Sequence, residues 1–356
     1  MDNLRKFTSE TDYNTAKENF NWATISYIDT ANVKEIRWMD EDTIYRHNPL
    51  TMIANSNTSI TFTFAQNLTV SDMTSISYSI DNDSWQTLNN VNSSKPSVTI
   101  NLTKGQRVKW KGICSAKRTS SSNAIAPNTN YCSQFSGCTN VTVEGNIMSL
   151  LYGGDNETWD DKTTLISAKT FFGLFANSNI INAANLILPA TSLTNGCYLS
   201  MFYSCGYLKV APKILPAMEL AQSCYSDMFS SCNNLVIPPQ LPSKTLASRC
   251  YQHMFANCTS LTSAPVLPAL YLVEYCYGEM FWECNKLSFI QMMAIDISPT
   301  SCLNAWTYGV RSTGTFVKSR RAKWNVYGPN GIPPSWTVLS QMDLERNDNY
   351  YIYEHQ

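Results

Sequence analysis

Four segments of this chain repeat one twelve-residue pattern: CYLSMFYSCGYL from Cys197, CYSDMFSSCNNL from Cys224, CYQHMFANCTSL from Cys250 and CYGEMFWECNKL from Cys276. They align as C-Y-x-x-M-F-x-x-C-x-x-L at a period of 26 or 27 residues. Four aligned copies of so long a pattern do not arise by chance, and a unit this small cannot bury its own apolar face alone. Each unit must stack on its neighbours, so a solenoid is expected. Leu-Pro elements stand between copies, at Leu188-Pro189, Leu215-Pro216, Leu241-Pro242 and Leu267-Pro268, and second apolar anchors follow at Leu193, Leu220, Leu246 and Leu272. A worn copy, TFFGLFANSNII, precedes the four, with Thr170, Phe175, Ser178 and Ile181 in the places of Cys, Phe, Cys and Leu. Atypical end units are expected, because an end repeat must face water on one side.

Eight of the 12 cysteines are the repeat pairs Cys197/Cys205, Cys224/Cys232, Cys250/Cys258 and Cys276/Cys284. Their C-x7-C spacing is not the C-x2-C of a zinc site. As free thiols they behave as small hydrophobes, suited to a column that offers the same narrow space at every level. A structural ladder of free thiols is the expectation, ahead of disulfides between levels and of metal. Cys302 continues the first column. Cys114, Cys132 and Cys138 lie outside the pattern, and Cys132 with Cys138 is the pair to consider for a local bridge.

Upstream, residues 1–48 read as a short helix followed by a hairpin. Ser9 and Asp12 have capping-box spacing before TAKENF, while TISYI and VKEIRWM alternate as strands around Thr30-Ala31-Asn32. Too small to be stable alone, this stretch is expected to be an attachment segment docked on a partner or on the next domain. Residues 49–151 offer the short alternating runs SITFTF, SISYSI, SVTINL, RVKWKGI and VTVEGNIMSL between polar turn clusters, the pattern of a small β-sandwich. The Ser/Asn-rich stretch from Ser115 to Asn130 reads as an exposed loop. Residues 165–300 are the repeat region. After Cys302 the pattern dissolves into aromatic, Gly and Pro punctuation, giving a C-terminal cap over 301–338, and 339–356 reads as a tail. The whole is expected to be a mixed, β-rich chain.

Function classes narrow by composition and motif. A formal net charge of -1 from 26 basic and 27 acidic residues leaves no electrostatic footprint for nucleic acid. No run of about 18 apolar residues points to membrane insertion, and the first residues carry no apolar core of a signal peptide. None of the three histidines, His47, His253 and His355, stands in a motif that pairs a nucleophile with its base, and His253 occupies a variable repeat slot. The acidic loop of Asp155, Glu157, Asp160 and Asp161 lacks EF-hand spacing and reads as a solvated linker. No phosphate-binding glycine motif is present. No catalytic residue, cofactor site or metal site is therefore expected, and the chain reads as a non-enzyme. Solenoids bind through side chains that vary from unit to unit. In the slots between Phe and the second Cys, Tyr203 and Trp282 are large aromatics where their siblings are small, which makes them the candidate contact residues.

The period, together with the offsets of Phe202, Cys205 and Leu208, suits leucine-rich repeats. The unit C-Y-x-x-M-F-x-x-C-x-x-L with L-P-A between copies resembles the BspA-type leucine-rich repeats of surface proteins of gut Bacteroidota and of virion proteins of their phages. The resemblance covers residues 165–338 and extends through GNIMSLL at Gly145 to Leu151. The opening LRKFTSETDY and the following hairpin are similar to N-terminal segments of structural proteins of crAss-like and related phages. The resemblance implies a right-handed solenoid on a virion surface, in a head fibre, decoration protein or tail-associated adhesin. It would be held to other virion proteins by the N-terminal segment and could meet a host surface protein or glycan, and it could assemble as a homo-oligomer. The competing class is a bacterial cell-surface or secreted adhesin with the same repeats.

Overall fold

The computed structural model describes residues 4–6, 25–30, 33–38, 45–64, 73–89, 97–114, 133–154 and 158–340. Strands β1 (Leu4–Lys6), β2 (Ile25–Thr30) and β3 (Val33–Trp38) form an antiparallel sheet in the order β1-β3-β2. The hairpin expected from TISYI and VKEIRWM is β2 on β3, in register from Thr30↔Val33 to Ile25↔Trp38. The helix expected over TAKENF and the loop from Ser115 to Asn130 lie outside the described residues.

Next come β4 (Leu50–Ala54), β5 (Thr58–Thr63), β6 (Met73–Ile80), β7 (Gln86–Asn89), β8 (Ser97–Leu102), β9 (Arg107–Cys114), β10 (Gln134–Gly137) and β11 (Val141–Asn146). Together with β12 (Ile180–Ile187) they make a three-stranded sheet, β10-β5-β8, and a six-stranded sheet, β12-β11-β4-β9-β6-β7. Period-2 alternation turns one face of each strand inward, as in β5, where Thr58, Ile60 and Phe62 are buried between more exposed neighbours. Phe62 and Phe135 of the smaller sheet meet Trp110 of the larger one at 6.2 and 5.0 Å between ring centroids. Two open sheets packed through such a cluster are compatible with a β-sandwich. Gly145 sits at φ +84 where β11 passes Pro49, and a Cβ there would lie 2.1 Å from the Pro49 carbonyl oxygen, so only glycine fits.

From Thr170 onward the repeat units stack, joined by a regular backbone ladder. Alternate N–H groups close a turn within the unit or reach the next one: Cys197 N–H donates to Thr194 O (3.2 Å), then Tyr198 N–H donates to Cys224 O (3.0 Å). The same links recur as Tyr225 to Cys250 (3.0 Å), Tyr251 to Cys276 (3.1 Å) and Tyr277 to Cys302 (3.0 Å). Phe202, Phe229 and Phe255 likewise donate to Met228, Met254 and Met280 (2.9, 3.0 and 2.9 Å). Every turn thereby finds partners for backbone groups that its apolar side chains draw out of water. Tyr198, Tyr225, Tyr251 and Tyr277 form one buried stack at 5.7–5.9 Å. Phe175, Phe202, Phe229, Phe255 and Phe281 form another at 5.2–5.9 Å. On another side, parallel bridges Asn182↔Val210, Val210↔Ile237 and Ser263↔Phe289 lead to the parallel sheet of β13 (Phe289–Met292), β14 (Thr315–Lys318) and β15 (Thr337–Ser340).

Two boundaries differ from the sequence reading. The segment QFSGCTNV, assigned above to the β-domain alone, is also a truncated unit of the stack: Phe135 stacks on Phe175 (5.6 Å, 20°), Phe135 N–H donates to Leu174 O (2.8 Å), and Val141 pairs in parallel with Ile180. One contiguous apolar core consequently runs from Leu50 to Trp336. At the far end the pattern does not dissolve at Cys302. Glu279, Phe281 and Glu283 donate to Asn304, Trp306 and Tyr308 (2.7, 2.9 and 2.7 Å), so one more half-unit follows, with Trp306 in the place of Met and Thr307 in the place of Phe. A loop then seals the end: Trp306 Nε1 donates to Gly331 O (2.8 Å), Thr307 N–H to Pro329 O (3.2 Å) and Ala305 N–H to Asn330 Oδ1 (2.7 Å). The ordered cap continues to Ser340, past the expected end at 338; residues 341–356 lie outside the described residues.

Candidate functional site

Each turn segment divides its residues between an inner and an outer surface. Cys-Tyr, Met-Phe and the closing Cys point into the core, and all are buried in all four full units. The x-x pairs between them lie nearer the outer surface and are partly exposed, except Ser200, Ser226, Ser230, Ala256 and Gly278, which are buried. The second residue of each pair has a left-handed backbone: Ser200 and Ser204 (φ 54 and 56), Asp227 and Ser231 (54 and 62), His253 and Asn257 (54 and 60), Glu279 and Glu283 (54 and 58). Non-glycine residues pay about 1–2 kcal/mol each for this conformation; the inter-unit hydrogen bonds and ring stacks hold it. Turns of this kind set side chains from successive units in rows along the stack.

One row carries a charge ladder that the sequence reading missed. His253 lies between two carboxylates, with Nε2 donating to Glu279 Oε2 of the next unit (2.8 Å) and Nδ1 3.5 Å from Asp227 Oδ1 of the unit before. Asn304 Nδ2 donates to Glu279 Oε1 (3.3 Å), and Ser226 Oγ donates to Asp227 Oδ2 (2.9 Å). The hydrogen bond and charge of Asp227, with those of Glu279, outweigh partial burial and raise the His253 pKa to about 9. The imidazolium therefore clamps three units together near neutral pH. Both ring nitrogens are engaged.

A second row holds the sequence-predicted contact residues. Tyr203 and Trp282 occupy equivalent places in the first and fourth full units, with Ser230 and Ala256 between them, so the structure does not bring the two rings together. Trp282 instead stacks on Tyr308 at 6.0 Å and 13°. Tyr308 is 50% exposed. It escaped the sequence reading because the unit it belongs to lacks both Tyr and Phe of the pattern. The Glu283 carboxylate packs against Gly309, where a Cβ would lie 2.7 Å from Glu283 Cδ.

The thiol ladder lies inside, away from these rows. Cys197, Cys205, Cys224, Cys232, Cys250, Cys258, Cys276, Cys284 and Cys302 are free and buried. In the second column each thiol donates to the Phe carbonyl of the preceding unit: Cys205 to Phe175 (3.0 Å), Cys232 to Phe202 (3.2 Å), Cys258 to Phe229 (3.2 Å) and Cys284 to Phe255 (3.0 Å). These cysteines are thus small hydrophobes and also donors, a role that apolar patterning alone does not reveal. Burial pushes the pKa of Cys197, Cys205, Cys276 and Cys284 up to about 12 and that of Cys224, Cys232, Cys250 and Cys258 well above the ordinary thiol range. Thiols held protonated in this way are inert. Cys138 is the half of the pair considered for a local bridge that the structure describes. It is a free buried thiol at the head of the second column, donating to Ser136 O (3.5 Å), while Cys132 lies outside the described residues.

In the acidic loop, Asp160 pairs with His47 and Asp161 with Lys162 (3.2 Å); Asp155 and Glu157 lie outside the described residues. Among the described residues no group of three or more His, Cys, Asp or Glu is placed to hold a metal ion, and no helix is long and apolar enough to cross a membrane. Compared with known family models, curated proteins and solved structures, the chain matches none.

Proposed function

We propose that this chain is a non-enzymatic structural and binding protein of a phage particle, a head fibre, decoration protein or tail-associated adhesin, in which residues 165–300 form a leucine-rich-repeat-like solenoid of the BspA type. Residues 1–48 attach it to other virion proteins, and the outer rows of the stack meet a host surface protein or glycan. The observation that carries this reading is the split within each turn: the core residues are the same in every full unit, while the pairs before the closing Cys change from Tyr-Ser to Ser-Ser, Ala-Asn and Trp-Glu, all of them partly exposed except the buried Ser230 and Ala256. A framework that holds its interior constant and varies its outer rows is suited to display.

The thiol columns favour a virion protein over an exported adhesin. Ten buried free cysteines, most of them in neighbouring levels of two columns, suit a chain that folds in a reducing compartment. Virion proteins fold in the host cytoplasm, whereas an exported protein meets oxidising conditions with these thiols still exposed. Mass spectrometry of purified phage particles from a Bacteroidota host, alongside the host's outer-membrane fraction, tests the reading. Recovery from particles at a stoichiometric copy number is expected; recovery from the membrane fraction alone would establish the cell-surface adhesin instead. Deleting residues 1–48 is expected to abolish incorporation while the stack stays folded, and normal incorporation of the shortened chain would contradict the attachment role.

A further inference from the structure

The chain's formal charge of -1 conceals a local asymmetry in the cap. From Ile297 to Ser340 the sequence holds no aspartate or glutamate, yet it holds Arg311, Lys318, Arg320, Arg321 and Lys323. β14 ends at Lys318 and the chain turns at once: Ala322 N–H donates to Ser319 O (2.9 Å) and Arg321 N–H to Ser319 Oγ (3.2 Å), with Ser319 itself buried. Arg320 and Arg321 thereby occupy the middle of the turn, and both are exposed, as is Lys323. The turn is braced, because Lys318 Nζ donates to Trp324 O (3.0 Å) and Asn325 Oδ1 (2.7 Å), and Trp324 Nε1 donates to Ala294 O (2.9 Å). Asp296, the carboxylate that immediately precedes this stretch in sequence, accepts instead from Ser298 N–H (2.9 Å) and Oγ–H (3.0 Å). Like charges gathered on a fixed turn repel one another and attract an anionic partner.

The same end of the sheet releases a segment of opposite sign. β14 and β15 run parallel with Lys318 opposite Ser340. The chain therefore leaves β15 about one strand spacing, ~4.8 Å, from where it enters the basic turn. Beyond Ser340 the sequence carries Asp343, Glu345, Asp348 and Glu354 against the single arginine Arg346. Asp343 stands as far past Ser340 as Arg321 stands past Lys318. Arg311 lies before the start of β14, at the opposite end of the sheet, where its carbonyl accepts from Trp336 Nε1 (2.8 Å). A segment tethered this close to the turn meets it at an effective concentration of about a millimolar or more, an advantage that neither a second copy nor a free polyanion shares. We propose that the turn at 319–323 is a dock for this chain's own acidic segment, residues 341–356, with Asp343 and Glu345 set against Arg320, Arg321 and Lys323. Docking withdraws the basic turn from anionic polymers and surfaces, and it does not depend on where the stack is displayed.

Carbodiimide cross-linking of the full chain, read by mass spectrometry, tests it. Lys323 is expected to join Asp343 or Glu345, and raising the salt to about 0.5 M should cut the yield about fivefold, because exposed charges are then screened within a few ångströms. In an equal mixture of unlabelled and isotope-labelled protein, the joined peptides should come from one copy. Arg320→Glu with Arg321→Glu should abolish the link, and adding Asp343→Lys with Glu345→Lys should restore a salt-sensitive link between the two segments. Removing residues 341–356 should raise the salt needed to elute the chain from heparin, and the two arginine substitutions in the shortened chain should reverse that gain. A thermal melt of each variant separates lost docking from lost folding. Absence of the link, a link indifferent to salt, peptides joined only between copies, or a folded charge-reversed chain that stays unlinked would each overturn the proposal. Heparin elution unchanged by removal of the segment would also overturn it, and would make the turn an open site for polyanions.

Discussion

The inner and outer surfaces of the stack are made by the same turns, yet they follow opposite rules. Inside, Tyr meets Tyr at 5.7–5.9 Å and Cys lies above Cys, so a side chain's neighbours are copies of itself. Outside, Asp227, His253 and Glu279 occupy one equivalent place in three successive units, and Trp282 and Tyr308 another in two. The contrast teaches that the interior sets the register and that the register, in turn, decides which outward side chains become neighbours. His253 finds two carboxylates only because the columns beneath it hold their units in line.

Breaking an inner column should therefore cost the most. Phe229→Ala opens a gap between Phe202 and Phe255, each of which stacks on it; a loss of about 3–5 kcal/mol in denaturant unfolding is expected. Because β-domain and stack share one core, both should lose stability together. Two separate transitions, with only one of them shifted, would show that the shared unit at Phe135 does not couple them.

Disturbing an outer row should cost less and should depend on pH. The His253 pKa is raised to about 9 in the folded chain, against about 6.5 for an unperturbed histidine. Its stabilisation is thus fully present below pH 6.5, declines as the unfolded state alone loses its proton, and is gone above pH 9. His253→Gln is expected to cost about 1 kcal/mol at pH 6, allowing for solvent screening, and nothing at pH 10. An equal cost at both values would mean that packing, not charge, is what His253 contributes.

The smallest effect is expected where the outer rule conflicts with backbone preference. Ser231 is held at φ +62, so Ser231→Gly should stabilise the chain by up to about 1 kcal/mol. Destabilisation would show that the serine side chain outweighs the strain.

The contrast also explains what was legible in the sequence. A column built of identical residues writes its period directly into the chain, and Cys197 to Leu287 could be read at sight. Fusion of the β-domain with the stack could not, because QFSGCTNV keeps only Phe, Cys and an apolar residue of the pattern and lies upstream of the worn copy. Most left-handed positions were hidden for a different reason: apart from Asn257, they hold Ser, Asp, His and Glu where glycine or asparagine would have signalled them. Tyr308 was missed because Trp306 and Thr307 replace the residues that mark a unit. The charge ladder did leave a signal, since Asp227, His253 and Glu279 share one slot at the repeat period, but charges in variable slots ordinarily read as solvated surface.

Thiol titration tests most directly that the interior is a set of reduced, close-packed columns. The protein is purified without reductant and treated with a thiol reagent, first folded and then in denaturant. The nine stack cysteines from Cys197 to Cys302 should be silent in the folded chain and should all react once it is unfolded. Protection that persists in denaturant would mean disulfides between levels and would contradict both the free-thiol columns and the reducing compartment inferred from them.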